Sequence, residues 1–356
     1  MIYVDGNTTE NEELAKAEAH IREAEFEEAM DILNKLIESE PENGRVWFDL
    51  GTVAFLNEKF DMADTFLNKA IENEYVSCDV YANLGLTKEK IGKLKQAEIS
   101  FEKAVSASTD VQDKWISYNN LCLFYWRNNM LLKAEKTAEK AIVLLPAEYQ
   151  SHHLKFIVLS ARKKYTEIDE MFAQIEPEFS DDPQYLVDRL AHYEKQGKFS
   201  VELRMLEENE KLRELLPEET LKKRIKLYLQ RENRQMAIKL VYELFQNYGD
   251  LEAGYMAMVY EIMNEDYIKA GKIGQIIMSH TMETTVEPTA IFYHTMYLEA
   301  IILDKLFQGN PPEEVRGEIL TMVDSYHTWM KEQHITTEEM DKKIATVRKL
   351  LEGTEA

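Results

Sequence analysis

Apolar residues recur along this chain in stripes of helical spacing separated by short polar breaks. From Leu94, the positions Leu94, Ala97, Phe101, Ala104 and Val105 fall on one face of a helix, and Gly92-Lys93 interrupts the pattern just ahead of it. From Phe60 the same face is drawn by Phe60, Ala63, Leu67, Ala70 and Ile71. Before each stripe lies another helical stretch, carrying Trp47, Leu50 and Gly51 in one case and Leu84-Gly85 in the other. The pattern predicts helices in pairs, joined by short turns into antiparallel hairpins.

The hairpins repeat. The residue that opens each second helix stands at Phe26, Phe60, Leu94, Leu131, Tyr165 and Phe199, then at Arg234 and Tyr267, in steps of 34, 34, 37, 34, 34, 35 and 33 residues. Three residues further on stand Ala29, Ala63, Ala97, Ala134, Ile168, Glu202, Ala237 and Ala270. A small residue dominates there, as it must where two helix axes approach to roughly 8–10 Å.

Two units carry a recognisable signature. Trp47-Leu50-Gly51-Ala63-Leu67-Ala70 and Tyr81-Leu84-Gly85-Ala97-Phe101-Ala104 resemble the tetratricopeptide repeat, a helical hairpin of about 34 residues. The first unit contributes Ala17, Phe26, Ala29, Leu33 and Pro41. The fourth contributes Tyr118, Leu121, Tyr125, Ala134, Ala141 and Pro146, with three extra residues expected in the preceding turn, among Ser106 to Asp113. Cys122 replaces the glycine of that unit and reads as a small packing residue.

The resemblance implies an all-α, right-handed solenoid of about eight hairpins. Its expected organisation is an N-terminal extension over 1–9, four clear repeats over 10–148 and degenerate hairpins over 149–285. Capping helices follow over 286–352, with a frayed tail over 353–356. Within the cap, Pro288 is expected to open one helix, Glu313 to Lys331 to form a second, and Thr336 with Glu339 to cap a third.

Charge and composition narrow the function. Asp and Glu number 65 against 42 Lys and Arg, a net charge of −23, so nucleic acid and anionic lipid are not expected partners. With 13 Gly and 8 Pro in 356 residues, turn formers are too scarce for a strand-rich fold. Two cysteines, Cys78 and Cys122, cannot staple a chain of this size, and the N-terminus has neither a basic segment nor an apolar one of signal type. No run approaches the ~18 apolar residues of a membrane span. A cytoplasmic protein is the expectation.

No catalytic signature is present, and no enzyme, cofactor or metal is expected. Gly271-Lys272-Ile273-Gly274 lacks the spacing and the hydroxyl of a phosphate-binding loop and reads as helix packing or a turn. His152-His153 are adjacent, about 100° apart on a helix, unlike the i, i+4 pair that grips zinc.

In the resembling family the first helices line the concave side. There Asp49, Asn83 and Asn120 occupy equivalent places, in steps of 34 and 37, and are expected to form a ladder that can hold an extended chain by its backbone. The alternative for these residues is that they bridge adjacent helices. Arg45, Phe48, Leu86, Asn119, Leu123, Trp126 and Arg127 complete the candidate groove. The basic clamp that some members use on a C-terminal carboxylate is missing, because Leu14, Glu18, Asp49, Asp79 and Asn83 occupy its places. Residues 1–60 hold 15 Asp or Glu and 5 Lys or Arg, which favours a neutral or basic partner. A non-catalytic scaffold binding a peptide or partner helix is the reading. A peptide- or metabolite-responsive regulator acting on another protein is the alternative. Oligomeric state is not legible.

Overall fold

The computed structural model describes residues 12–284 and 289–336, together with 338, 341, 342, 344, 345 and 348. Every regular element among them is a helix, and the chain forms two compact units, residues 1–198 and 199–356. The expectations for 1–9, 353–356, Pro288 and the partner Glu339 lie outside the described residues.

Unit 1 contains five complete hairpins and the first helix of a sixth. First helices are α1 (Glu12–Arg22), α3 (Gly44–Leu56), α5 (Cys78–Lys90), α7 (Val111–Arg127), α9 (Tyr149–Ala161) and α11 (Pro183–Gln196). Second helices are α2 (Phe26–Ser39), α4 (Phe60–Glu72), α6 (Leu94–Ala107), α8 (Leu131–Leu144) and α10 (Tyr165–Phe179). Each begins on the residue that the repeat spacing marks. The three extra residues of the fourth unit lie inside α7, correcting the expectation of a longer turn. α7 has 17 residues where α3 and α5 have 13, and Asp110 caps its added first turn by accepting from the Asp113 N–H.

One backbone device closes the hairpins. Two residues before each second-helix start the chain turns left-handed, at Ala24, Glu58, Gly92, Asn129, Lys163 and Gly197 in unit 1. The next N–H then reaches back five residues, as Lys59 does to the Ala54 carbonyl (2.8 Å) and Met130 to that of Tyr125 (2.8 Å). This is a Schellman-type stop, which satisfies the last carbonyls of the first helix.

The repeat residues make the core. Ala29, Ala63, Ala97 and Ala134 are fully buried. A Cβ on Gly51 would stand 2.7 Å from Leu67 Cγ, and one on Gly85 would stand 2.9 Å from the Phe101 ring, so each glycine admits the large residue of its own second helix. Cys122 does the same work in the fourth unit, with Sγ 3.3 Å from the Ala134 carbonyl; burial pushes its thiol up to about 12.

Each first helix of unit 1 packs against the next first helix, whereas no Cα of one second helix comes within 8 Å of the next second helix. The first helices therefore form the inner, tighter side of the curve.

Unit 2 comprises α12 (Phe199–Glu208), α13 (Glu210–Leu215), α14 (Pro217–Gln230), α15 (Arg234–Tyr248), α16 (Leu251–Met263), α17 (Tyr267–Thr284), α18 (Ala290–Leu306) and α19 (Glu313–Glu332). α14 with α15 and α16 with α17 are hairpins of the same kind, with left-handed turn residues at Glu232 and Glu265. α18 and α19 pair, and Ile344 is buried with Ala300, Ile319 and Val323 against them. Gly271 and Gly274 lie inside α17, where a Cβ on Gly274 would collide with the Glu299 carboxylate.

Candidate ligand-binding wall

The inner wall of unit 1 is held together by polar bridges from one first helix to the next. Arg45 Nη2 donates to Glu18 Oε1 (2.7 Å), tying α3 to α1, and its Nε meets Asp49 Oδ2 (3.4 Å) one turn along its own helix. Asn83 Nδ2 donates to Thr52 Oγ1 (3.2 Å), tying α5 to α3. Ser151 Oγ donates to Asn119 Oδ1 (2.9 Å) while accepting from Trp115 Nε1 (2.8 Å), tying α9 to α7. Tyr149 Oη donates to Asp188 Oδ2 (2.8 Å), and His153 Nδ1 meets the same oxygen at 2.8 Å, tying α11 to α9.

These bridges decide where each candidate residue sits. Phe48, Asp49 and Asn83 are fully buried, and Asn119 and Asn120 are nearly so. Asn83 Nδ2 and Asn119 Oδ1 are engaged by neighbouring helices, the role held as the alternative to a ligand ladder. Arg45 is also committed, its guanidinium reaching Tyr75 Oη (3.3 Å) as well as Glu18.

The solvent-facing part of the wall is different. Leu86 and Leu123 are half-buried and rest on the core that contains Phe101 and Phe124. Trp126, three residues after Leu123 on the same helical face, is 37% exposed. Arg127 makes two bonds to Glu89, from Nε to Oε1 (3.1 Å) and from Nη2 to Oε2 (2.6 Å), and Asn128 donates to Glu89 Oε1 (2.8 Å). The wall thus offers an apolar strip with a charged edge.

A second ladder, absent from the sequence reading, runs along the other helices. Asp64, Glu98, Glu135 and Asp169 stand four residues after the second-helix starts, in steps of 34, 37 and 34. Each is met by a lysine of the following hairpin or turn: Lys93 to Asp64 (3.1 Å), Lys133 to Glu98 (2.6 Å), Lys164 to Glu135 (3.6 Å) and Lys198 to Asp169 (3.2 Å). Burial alone would raise the Asp64 carboxyl, but hydrogen bonds from Lys88 and Lys93 hold it below its ordinary value. Lys133 lowers Glu98. For Asp169, burial is outweighed by His192 and Lys198. This ladder carries the repeat regularity to the end of unit 1, beyond the point where the apolar signature loosens.

Among the described residues one cluster, His20, Glu23 and Glu25, has ligand atoms within 4.8 Å of one another. It is a surface turn in which His20 Nδ1 pairs with Glu25 (2.6 Å). His152 is engaged separately from His153, through the Pro146 carbonyl at 3.0 Å. No described helix is long and apolar enough to cross a membrane.

Residues 79–110, which span α5, α6 and the turn between them, match the tetratricopeptide repeat family model. Those residues are a tetratricopeptide repeat. No curated protein matches its sequence. Several solved structures are similar to it. Naa15/Naa10 bound to HypK-THB is 9% identical with a TM-score of 0.44, and the alignment covers 88% of this chain and 51% of that one. The chain thus spans about half the length of that relative. The C-terminal part of a repeat-containing protein from Cytophaga hutchinsonii is 13% identical (TM-score 0.46, covering 75% of this chain and 94% of that one). A tetratricopeptide repeat protein from Parabacteroides merdae is 15% identical (TM-score 0.48, covering 69% and 96%). At such identities no partner or activity carries across.

Proposed function

We propose that this protein is a non-catalytic interaction scaffold whose unit 1 receives a segment of another polypeptide along its inner wall. Trp126 carries the reading: a large aromatic left 37% exposed one helical turn from the half-buried Leu123. Exposed tryptophan beside half-buried leucines is the composition of an interface anchor, where a few aromatic contacts supply most of the binding energy. Leu86 and Leu123 extend the apolar strip. Arg45, Phe48, Asp49, Asn83, Asn119 and Asn120 act from behind it by fixing the spacing of the first helices. The acidic excess of the first 60 residues favours a neutral or basic segment.

Peptides selected on the full chain from a random-sequence display library provide the test. Trp126→Ala is expected to weaken their binding at least tenfold with the thermal transition unchanged. Selected peptides that bind Trp126→Ala as tightly as the natural chain would refute the assignment.

A further inference from the structure

We infer that unit 2 holds a second docking site, a gap between α14 and α16 that takes an amphipathic helix whose apolar stripe is flanked by acidic residues. Within unit 1 every successive pair of first helices touches, and in unit 2 α16 meets α18. α14 and α16 do not. Both pack on α15, yet no Cα of one lies within 8 Å of a Cα of the other.

The space left between them is apolar. Two adjoining hollows of about 430 and about 300 Å³ share Leu229 and Met256 as a common wall. Ile225 and Leu229, one turn apart, form the α14 side; Met256, Val259 and Met263, spaced i, i+3 and i+7, form the α16 side. Those are the two ridge spacings that a third helix fits between. Leu229 is 44% exposed and Met263 72% exposed. Methionine side chains adapt to varied apolar surfaces, which suits a groove that must be filled by a partner.

Charge selects the partner. Residues 217–239 hold seven Lys or Arg against three Glu, a local net charge of +4 in a chain of −23. Lys226 and Arg234 border the hollows, both exposed, and no described carboxylate pairs with either. At physiological salt the field decays over about 8 Å. A ligand in the gap therefore responds to these two cations more than to the distant acidic surface. Asp250 and Glu252, on the α16 side, border the same hollow as Lys226, and Asp250 is already paired with Lys222 (2.7 Å). An acidic flank on the α14 side and a neutral one on the α16 side fit this edge. The site is independent of the unit 1 wall.

The test uses two synthetic 18-residue amphipathic peptides with leucines at i, i+3, i+4 and i+7 spacing, one flanked by Glu and one by Lys. Each carries a fluorescent label and is titrated by anisotropy with the full chain at physiological salt. The Glu peptide is expected to bind at least tenfold more tightly than the Lys peptide. Lys226→Glu with Arg234→Glu, both surface changes, should weaken the Glu peptide at least tenfold and strengthen the Lys peptide. Met256→Glu should abolish binding, and Trp126→Ala should not affect it. Equal binding of the two peptides, absence of Glu-peptide binding, or indifference to the double charge reversal would overturn the inference. So would a dimer in sedimentation that Met256→Glu dissociates, since the gap would then be filled by a second copy.

Discussion

Asn83 Nδ2 donates to Thr52 Oγ1 across 3.2 Å, and neither side chain has any exposed surface. Thr52 in turn donates to the Phe48 carbonyl at 3.0 Å. The amide is thus a bridge inside the stack. Asn83→Ala removes it in a dry interface, a loss of about 1–3 kcal/mol. Urea unfolding should show a lower midpoint. Trp126→Ala, on the wall's open side, should leave that midpoint in place.

Close approach between the helices of a hairpin depends on Gly51 and Gly85. A methyl at Gly85 would press on the Phe101 ring at 2.9 Å, and one at Gly51 on Leu67 at 2.7 Å. Overpacking of this kind costs about 1–3 kcal/mol. Gly85→Ala should therefore lower the melting temperature, and a second change, Phe101→Leu, should recover part of the loss. Purely additive losses in the double variant would contradict the packing account.

The left-handed turn residues predict gains. Gly occupies this place at Gly92 and Gly197, but Glu58, Lys163, Glu232 and Glu265 adopt the same conformation with a side chain. A non-glycine residue there carries roughly 1–2 kcal/mol of strain, partly offset by the flexibility of glycine in the unfolded chain. Glu232→Gly should stabilise by up to about 1 kcal/mol in thermal or urea unfolding. Gly92→Ala should destabilise although nothing lies within 4 Å of the added Cβ, because the cost lies in the backbone alone.

Two sets of carboxyl groups should respond to pH in opposite directions. Asp64, Glu98 and Asp169 have folded values below their ordinary 3.8 and 4.5, so the stability they contribute is present above pH ~4.5 and lost as pH falls through those lowered values. Burial raises Glu299 from 4.5 to about 7, beneath the Gly271 and Gly274 face of α17 and beside Met258. Its neutral form is the one that the fold favours. That contribution is complete below pH ~4.5 and is lost as pH rises to ~7, roughly 3 kcal/mol at full ionisation. Glu299→Gln should remove the decline of unit 2 between pH 5 and pH 8, and Asp64→Asn should soften the acid limb. Hydrogen exchange followed unit by unit reads both.

Most of the fold is legible in the sequence because tight helix crossings demand small residues at fixed spacing: all eight second-helix starts, Phe26 to Tyr267, coincide with observed helix starts. The turn conformation was legible only where glycine marks it, at Gly92 and Gly197, since Glu58 or Lys163 carries no mark of a left-handed backbone. Asp64, Glu98, Glu135 and Asp169 show the repeat period, but charged residues are so frequent here that the series is hidden until the lysines opposite are seen. The wall was harder. Asp49, Asn83 and Asn120 lie on the first helices as the register requires, yet register does not tell a side chain buried between neighbours from one facing a ligand. The gap between α14 and α16 has no sequence signature, because Ile225, Leu229, Met256 and Met263 look like ordinary core positions.

The central claim, that another polypeptide lies along the inner wall of unit 1, is tested most directly by site-specific photocrosslinking with a library-selected peptide. Leu123→benzoylphenylalanine places the reactive group on the wall, and Ile99→benzoylphenylalanine places it on an exposed position of the second-helix row. The account predicts a crosslinked adduct from position 123 and none from position 99. An adduct from position 99 alone, or from neither position with the peptide bound to a chain that also carries Met256→Glu, would contradict it.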